Sequence, residues 1–519
     1  LAGYQHWGTE LLQRLNGMFA LAICDTRKRT LFLARDRAGK KPLYYCRLAD
    51  TFLFASEIKA LLQHPAVSRE PDLQALNHYF AFGYIPGELC IFKQIRKLPP
   101  AHAMEYSLET GEYRMWRYYG LQGPEPPPKT DVDALVERLE ELLRDAVKLR
   151  MISDVPLGAF LSGGVDSSVV VALMAAVTSR PVKTYSIGFH EAAFDELPYA
   201  RIVARHFATD HTEMVVTPSA TAILPELARQ YDEPFADSSM IPTYYLCRET
   251  RKHVTVALSG DGGDELFGGY KTYLGAYATS LFNRYFPNPV GKALCLPFGL
   301  LPDTFALKRS LQWLCEPPED SFVRKHSAPY FMPQHRARLF SPETLDGIGA
   351  GLLEPEQSRL ATLRACSGSF MRRVMHTDTV TYLPDDILVK VDRASMMVAL
   401  EVRCPILDHR VMDFSFQCVP PSLKVRGLTT KYLVKRLARK LLPKELPLHR
   451  KQGFAIPAAD WFRGELGCRL EELVRSNHSP FLRGDYGLHL LQRHRTGLDH
   501  SARLFTLMMF HLWSHEYLR

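Results

Sequence analysis

Between residues 155 and 285 the sequence changes rhythm repeatedly in the same way. The short apolar run VPLGAFL meets a glycine-rich turn and then SVVVALMAAV. VKTYSIGF is followed by a helical pattern around residues 199–207, and HVTVALSG leads to LFGGYKTYLGAY. Short apolar strands that alternate with helices can bury both sheet faces in few ways. The arrangement they demand is an open parallel sheet with helices on either side. In such a sheet ligands bind at the carboxyl ends of the strands, so the turns after VPLGAFL and HVTVAL are the places where function is expected.

The chain before this alternation has a different character. TLFLARD, PLYYCRL and TFLFASE are apolar, β-branched or aromatic runs separated by turns, which predicts hairpin-like strands. Helices are expected over residues 56–63 and 72–82. Trp7, Leu11, Leu12 and Leu15 share a helical face, so residues 1–15 read as the middle of a helix and the sequence as one that begins inside a domain. GLQGPEPPPKTD is rich in proline and glycine and reads as a linker. The expected division is an α+β part over residues 1–122, a linker over 123–131, and an α/β domain with a doubly wound parallel sheet over 132–519. Thr130 or Asp131 caps the first helix of the second domain, with Leu135, Leu139, Leu142, Leu143 and Val147 at helical spacing. Residues 282–519 read as mostly helical, and no internal repeat is visible.

With 519 residues there is length for at least two cores. No apolar run approaches the roughly 20 residues needed to cross a bilayer, and no basic region followed by an apolar one opens the chain. A cytoplasmic protein without a membrane partner is therefore expected. The ten cysteines form no CxxC pair, which argues for reduced thiols over a disulfide scaffold or a zinc site. The net charge of +8 is small for this length and demands no nucleic-acid partner. A homodimer is entertained as the assembly.

The turn LSGGVDSSVV, residues 161–170, carries the most chemistry. Glycines let successive backbone N–H groups turn inward as an anion nest, and the following helix adds its N-terminal donors. Ser162, Ser167 and Ser168 add hydroxyls. The turn therefore suits phosphate. It is not a Walker A loop, because it lacks the lysine, and the dinucleotide fingerprint is absent too. Asp166 would repel a phosphate directly but can hold Mg²⁺ that bridges phosphates. The bland alternative is a plain strand-to-helix turn with a capping aspartate.

SGGVDSS resembles the pyrophosphate loop of the N-type ATP pyrophosphatases. LSGDGGDELFGGY, LPDDILVKVDRASMMVALEVRCPILDHRV and HRKQGFAIP are similar to motifs of glutamine-dependent asparagine synthetases. RLNGMFALAICD, ARDRAGKKPLYY and FASEIKAL look like the later part of that family's N-terminal-nucleophile glutaminase domain. The resemblance implies ATP contacts at Leu161, Ser162, Gly163, Gly164, Asp166 and Ser167, at Ile187 for the adenine, and at Ser259 and Gly260. It implies Mg²⁺ held by Asp166 and Asp264. It makes Asp261 a proton acceptor for the attacking ammonia, and Lys451 the cation on the leaving pyrophosphate. For Asp261 and Glu265, helix N-terminal capping is the competing reading. Lys431, on a basic helix, is expected at the surface. Asp385, Asp392, Arg393, Glu401 and Arg403 are expected mostly as structural ion pairs.

The implied reaction adenylates a carboxylate, expected to be the aspartate side chain, and passes ammonia to it, releasing AMP and pyrophosphate. Glutamine is the implied nitrogen donor of the complete protein. The sequence as written opens with Leu1, whereas that glutaminase needs a cysteine bearing a free α-amine. Cys24, inside LAICD, is expected to be a buried structural thiol, so ammonia use without glutamine is the expectation for these residues. Three alternatives stay open: an amidotransferase for sugar uronic acids, a non-catalytic relative, and a tRNA-modifying enzyme with the same loop.

Overall fold

A computed structural model describes residues 1–121, 123–128, 130–188, 196–216, 220–286, 314, 316–449, 456–476 and 479–518. The first part holds two antiparallel sheets. Strands β1 (Ala20–Asp25), β2 (Thr30–Arg35), β6 (His102–Ser107) and β7 (Tyr113–Arg117) form one, in the order β1-β2-β6-β7. Strands β3 (Tyr44–Arg47), β4 (Phe52–Ala55) and β5 (Ile95–Lys97) form the other, in the order β4-β3-β5.

Strand alternation assigns each face. Leu33 pairs with Met104, and both meet Tyr45 and Leu43 in a core between the sheets. Their neighbours Phe32, Ala34 and Ala103 point the other way, onto Tyr4 and Leu12. On the far face of the small sheet, Tyr44, Cys46 and Ile95 share a core with Tyr79 and Phe80 of the helix Leu73–Phe82 and with Trp513 and Tyr517 of the last helix, Ser501–Tyr517. The two parts of the chain therefore share apolar packing. Polar clasps accompany it: the Tyr79 hydroxyl donates to the Thr506 carbonyl at 2.7 Å, and the Ile58 N–H to Asp232 Oδ2 at 2.8 Å.

The second part is built on β8 (Leu157–Phe160), β9 (Lys183–Gly188), β10 (Asp210–Val215), β11 (Val256–Leu258) and β12 (Glu401–Arg403), in the order β10-β9-β8-β11-β12. Every pairing in this sheet is parallel. The chain starts at the centre with β8 and moves outward through β9 and β10. It then returns to lay β11 and β12 on the other side. The order reverses between β8 and β11, and at that switch point the connections leave a crevice. The helix Val132–Arg150 opens this part, with Asp131 as its cap, accepting from the N–H groups of Asp133 and Ala134.

Several expectations need correction. Residues 1–15 are not one helix: Ala2–Trp7 and Leu11–Arg14 are helical, and between them Gly8 adopts φ 56°. Trp7 is 39% exposed while Leu12 is buried, so the supposed common face does not exist. Cys24 is exposed rather than buried, because alternation along β1 turns Leu21 and Ile23 inward and Ala22 and Cys24 outward. LFGGYKTYLGAY is two helices, Gly263–Phe267 and Lys271–Tyr285, divided at Gly268 with φ 72°. β12 lies in a stretch read as helical. Its three residues are a strand because β11 is there to pair with them. Among the described residues no helix is long and apolar enough to cross a membrane.

Candidate active site

The turns that follow β8 and β11 open on one cavity of about 550 Å³. Its first wall is the residue 161–167 loop. Leu161 extends the ladder, donating its N–H to the Tyr185 carbonyl at 2.9 Å. The chain then folds over the start of the helix Val165–Val177. Within the turn the Gly164 N–H donates to the Ser162 hydroxyl at 3.2 Å, and the Ser162 and Ser167 hydroxyls lie 3.0 Å apart. Gly163 has φ 72°, and a Cβ there would come within 2.6 Å of the Tyr199 backbone. Only glycine lets the loop lie this close to its neighbour.

The second wall is the turn after β11. The Ser259 N–H donates to the Arg403 carbonyl at 2.9 Å, and its hydroxyl donates to Asp261 Oδ2 at 2.7 Å. The two walls touch at Gly260. A Cβ there would sit 2.8 Å from the Ser167 nitrogen and 3.0 Å from the Asp166 carbonyl carbon. Ile187, at the end of β9, lines the cavity beside Tyr185, Phe160 and Leu246 and supplies an apolar side.

The floor is charged. The Lys431 ammonium reaches Asp264 Oδ1 at 2.8 Å and also binds Asp166 Oδ2. Burial would lower the pKa of this lysine, but the two carboxylates outweigh it and hold it above the usual lysine value. Sequence reasoning placed Lys431 at the surface, whereas it is 6% exposed. The reason is its position just before the helix Tyr432–Leu441, with φ 52°. It is therefore off the solvated basic face, where Arg436 meets Asp133 and Lys440 meets Glu140.

Beside this group, burial raises the Asp261 carboxyl, against the Ser259 hydrogen bond and the charge of Lys390. Burial and the neighbouring Asp264 push Glu265 up to about 7, and the Tyr270 hydroxyl donates to it. Lys390 and Asp237, paired at 2.8 Å, and Tyr382 also line the cavity.

Leu161, Ser162, Gly163, Gly164, Asp166, Ser167, Ile187, Ser259, Gly260, Asp261 and Asp264 thus line the same cavity. Lys451 lies outside the described residues. Asp392 pairs with Lys41 at 2.7 Å, Arg393 with Glu57 at 3.3 Å, and Glu401 with Arg403 at 2.6 Å. Asp385 accepts the Gly87 N–H at 2.8 Å. The Asp392, Arg393 and Asp385 contacts tie the parts of the chain together, whereas Glu401 and Arg403 share one short strand. Sequence reasoning missed Lys390, Asp237 and Tyr382 as cavity residues. The spacing of Tyr382 and Lys390 in YLPDDILVKVDR was the visible signal for those two.

Among the described residues no group of three or more His, Cys, Asp or Glu is placed to hold a metal ion. Asp166 and Asp264 nonetheless fit a hard cation that keeps water and phosphate oxygens as its other ligands. The Lys431 ammonium between them shows that a positive charge is stable at this point.

Residues 138–515 match the asparagine synthase family model, and residues 1–119 match that of a glutamine amidotransferase domain. Asparagine synthetase [glutamine-hydrolyzing] 1 of Bacillus subtilis (strain 168) is 31% identical over 516 residues, covering 99% of this chain and 79% of its own. A relative from Mycobacterium tuberculosis (strain ATCC 25618 / H37Rv), whose asparagine synthetase name is provisional, is 34% identical over 526 residues, covering 99% of this chain and 78% of its own. Asparagine synthetase [glutamine-hydrolyzing] 3 of Bacillus subtilis (strain 168) is 30% identical over 476 residues, covering 87% of this chain and 69% of its own.

Proposed function

The chain belongs to the asparagine synthase family, and from that premise we propose that it amidates the side-chain carboxylate of aspartate at the expense of ATP. The observation that carries the proposal is the meeting of two glycine-rich turns at the switch point, around a cavity with paired carboxylates and no Walker lysine.

ATP lies with its adenine against Ile187 and its phosphates on the N–H and hydroxyl groups of residues 161–167. Ser259 and Gly260 approach it from the other wall. Asp166 and Asp264 hold Mg²⁺, which supplies charge neutralisation to the phosphates. An oxygen of the acceptor carboxylate attacks the α-phosphorus, the bond to the bridging oxygen breaks, and pyrophosphate leaves. Lys431 provides a cation near the leaving group that the loop itself lacks, and Lys451 is proposed as a second. Fixed cations there stabilise charge that develops in the transition state. Ammonia then attacks the acyl carbon of the adenylate and AMP departs. Asp261, whose carboxyl burial makes more basic, takes the proton that the new amide nitrogen must lose. The amidotransferase-like residues 1–119 support glutamine as the source of the nitrogen.

The test supplies ATP, Mg²⁺, ammonium and L-aspartate, and follows the nucleotide products. Equal amounts of AMP, pyrophosphate and asparagine are expected. ADP with orthophosphate would overturn the reading.

A further inference from the structure

The motif ARDRAGKKPLYY carries a lysine that the ligase reading does not use. Lys40 belongs to the amidotransferase-like residues 1–119, yet its Nζ donates to the Leu407 carbonyl of the other part at 2.9 Å. Lys40 is 9% exposed. An apolar side chain of the same length would avoid the cost of burying an amine. What the lysine adds is a fixed hold on Leu407.

The turn that carries Lys40 is stiff. The buried Asp36 carboxylate accepts from the N–H groups of Ala38 at 3.2 Å, Lys40 at 3.0 Å and Lys41 at 2.9 Å. Arg35 closes the turn by donating to the carbonyls of Gly39 at 2.9 Å and Lys41 at 2.8 Å. Ala38 sits in the core that also holds Leu258, Leu266 and Leu407. The backbone on both sides of Lys40 is therefore held by bonds its own side chain does not make.

Leu407 in turn supports the second wall of the cavity. It ends the short helical turn Pro405–Leu407 that follows β12. It packs against Gly262, where φ is 90° and a Cβ would collide with the Leu407 side chain. Just before this turn, Cys404 Sγ lies 3.3 Å from the Ser259 hydroxyl. Just after it, Asp408 accepts from Asn16 at 2.9 Å and Arg150 at 2.8 Å. Residues 404–408 thus meet Ser259 and Gly262 of the cavity wall, and Asn16 and Lys40 of the first part. The Tyr79 clasp to Thr506 also joins the two parts, but neither of those residues lines the cavity.

We infer that Lys40 is a positioning residue for the nucleotide site: through Leu407 it sets the turn that presents Ser259, Gly260 and Asp261. The inference rests on the reading above, in which ATP lies on that turn. Its consequence is that the amidotransferase-like part supports adenylation even when ammonia supplies the nitrogen.

The experiment compares two variants of the whole chain, each measured well below its melting temperature. Lys40→Met keeps the bulk and removes the donor. Calorimetry with ATP and Mg²⁺ should show its ATP affinity down about fivefold or more. Exchange of labelled pyrophosphate into ATP with L-aspartate should slow about tenfold or more, because a small misplacement of the site is costly. Tyr79→Phe removes a bond of the same kind between the same parts and should leave both values near wild type. Coupling is reciprocal, so ATP and Mg²⁺ should slow hydrogen exchange at residues 36–41 of wild type and not along the helix Leu73–Phe82. Values for Lys40→Met equal to those of Tyr79→Phe, or exchange at residues 36–41 that ATP leaves unchanged, would overturn the inference and leave the ligase reading standing. ATP binding that slows exchange at residues 36–41, without pyrophosphate exchange in wild type, would overturn the ligase reading alone. Should Lys40→Met not fold, the hydrogen exchange of wild type decides.

Discussion

Lys431 Nζ lies 2.8 Å from Asp264 Oδ1, and the same ammonium binds Asp166. One side chain therefore joins the two turns that the sheet brings together. It holds a positive charge where phosphates and a metal ion are expected to meet. A lysine at positive φ is strained, and the strain is retained here at the floor of the cavity.

Lys431→Met should lower adenylation on the order of a hundredfold. It also leaves two carboxylates facing each other, which should reduce stability by about 3 kcal/mol in the absence of metal. Thermal unfolding with and without Mg²⁺ checks the second part: the ion should return much of the loss. Unchanged turnover together with an unchanged melting temperature would contradict both parts.

Gly260→Ala should damage the nucleotide site directly. The added Cβ would press on the Ser167 nitrogen at 2.8 Å and on the Asp166 carbonyl carbon at 3.0 Å, and backbone atoms do not rotate away. The walls must separate, at a strain of about 1–3 kcal/mol. ATP affinity should fall at least about tenfold in equilibrium binding. A variant that binds ATP as wild type does would show that the walls move freely.

Asp261→Asn should separate the two half-reactions. Adenylation, followed by exchange of labelled pyrophosphate into ATP, should persist. Amide formation should fall by about a hundredfold or more. In wild type the raised carboxyl should give amide formation a limb that climbs as pH rises and Asp261 ionises. The variant should lack that limb. Loss of both half-reactions in equal measure would make Asp261 a structural residue.

Asp385→Asn tests an electrostatic cost in the packing. Burial raises this carboxyl to about 6, against Lys97 and the Gly87 N–H. A raised carboxyl binds its proton more tightly folded than unfolded, so stability falls as pH rises from the unfolded value of about 4 through 6. Asparagine keeps an acceptor for Gly87 and carries no charge. From pH 5 to pH 8 wild type should lose about 1 kcal/mol relative to the variant in urea unfolding. Parallel stability curves would refute the assignment.

The alternation of short apolar runs with helices was enough to read the parallel sheet, and the seven residues SGGVDSS were enough to read a glycine-rich turn from a strand into a helix. Such features are local. Periodicity places side chains on faces, and a glycine-rich turn after a strand has the same donors wherever the chain carries it. What sequence could not reveal depends on partners far along the chain. β12 is a strand because β11 pairs with it, and Cys24 is exposed because β1 offers that face to solvent. Lys431 looked like one basic residue of a surface helix. A single residue at φ 52° turned it away from that helix and onto two aspartates from distant turns. Lys390 likewise acquires meaning only beside Asp237. Charge and burial are properties of the assembled neighbourhood. Side-chain chemistry was legible in the sequence, and the tertiary structure alone decided which charges would meet.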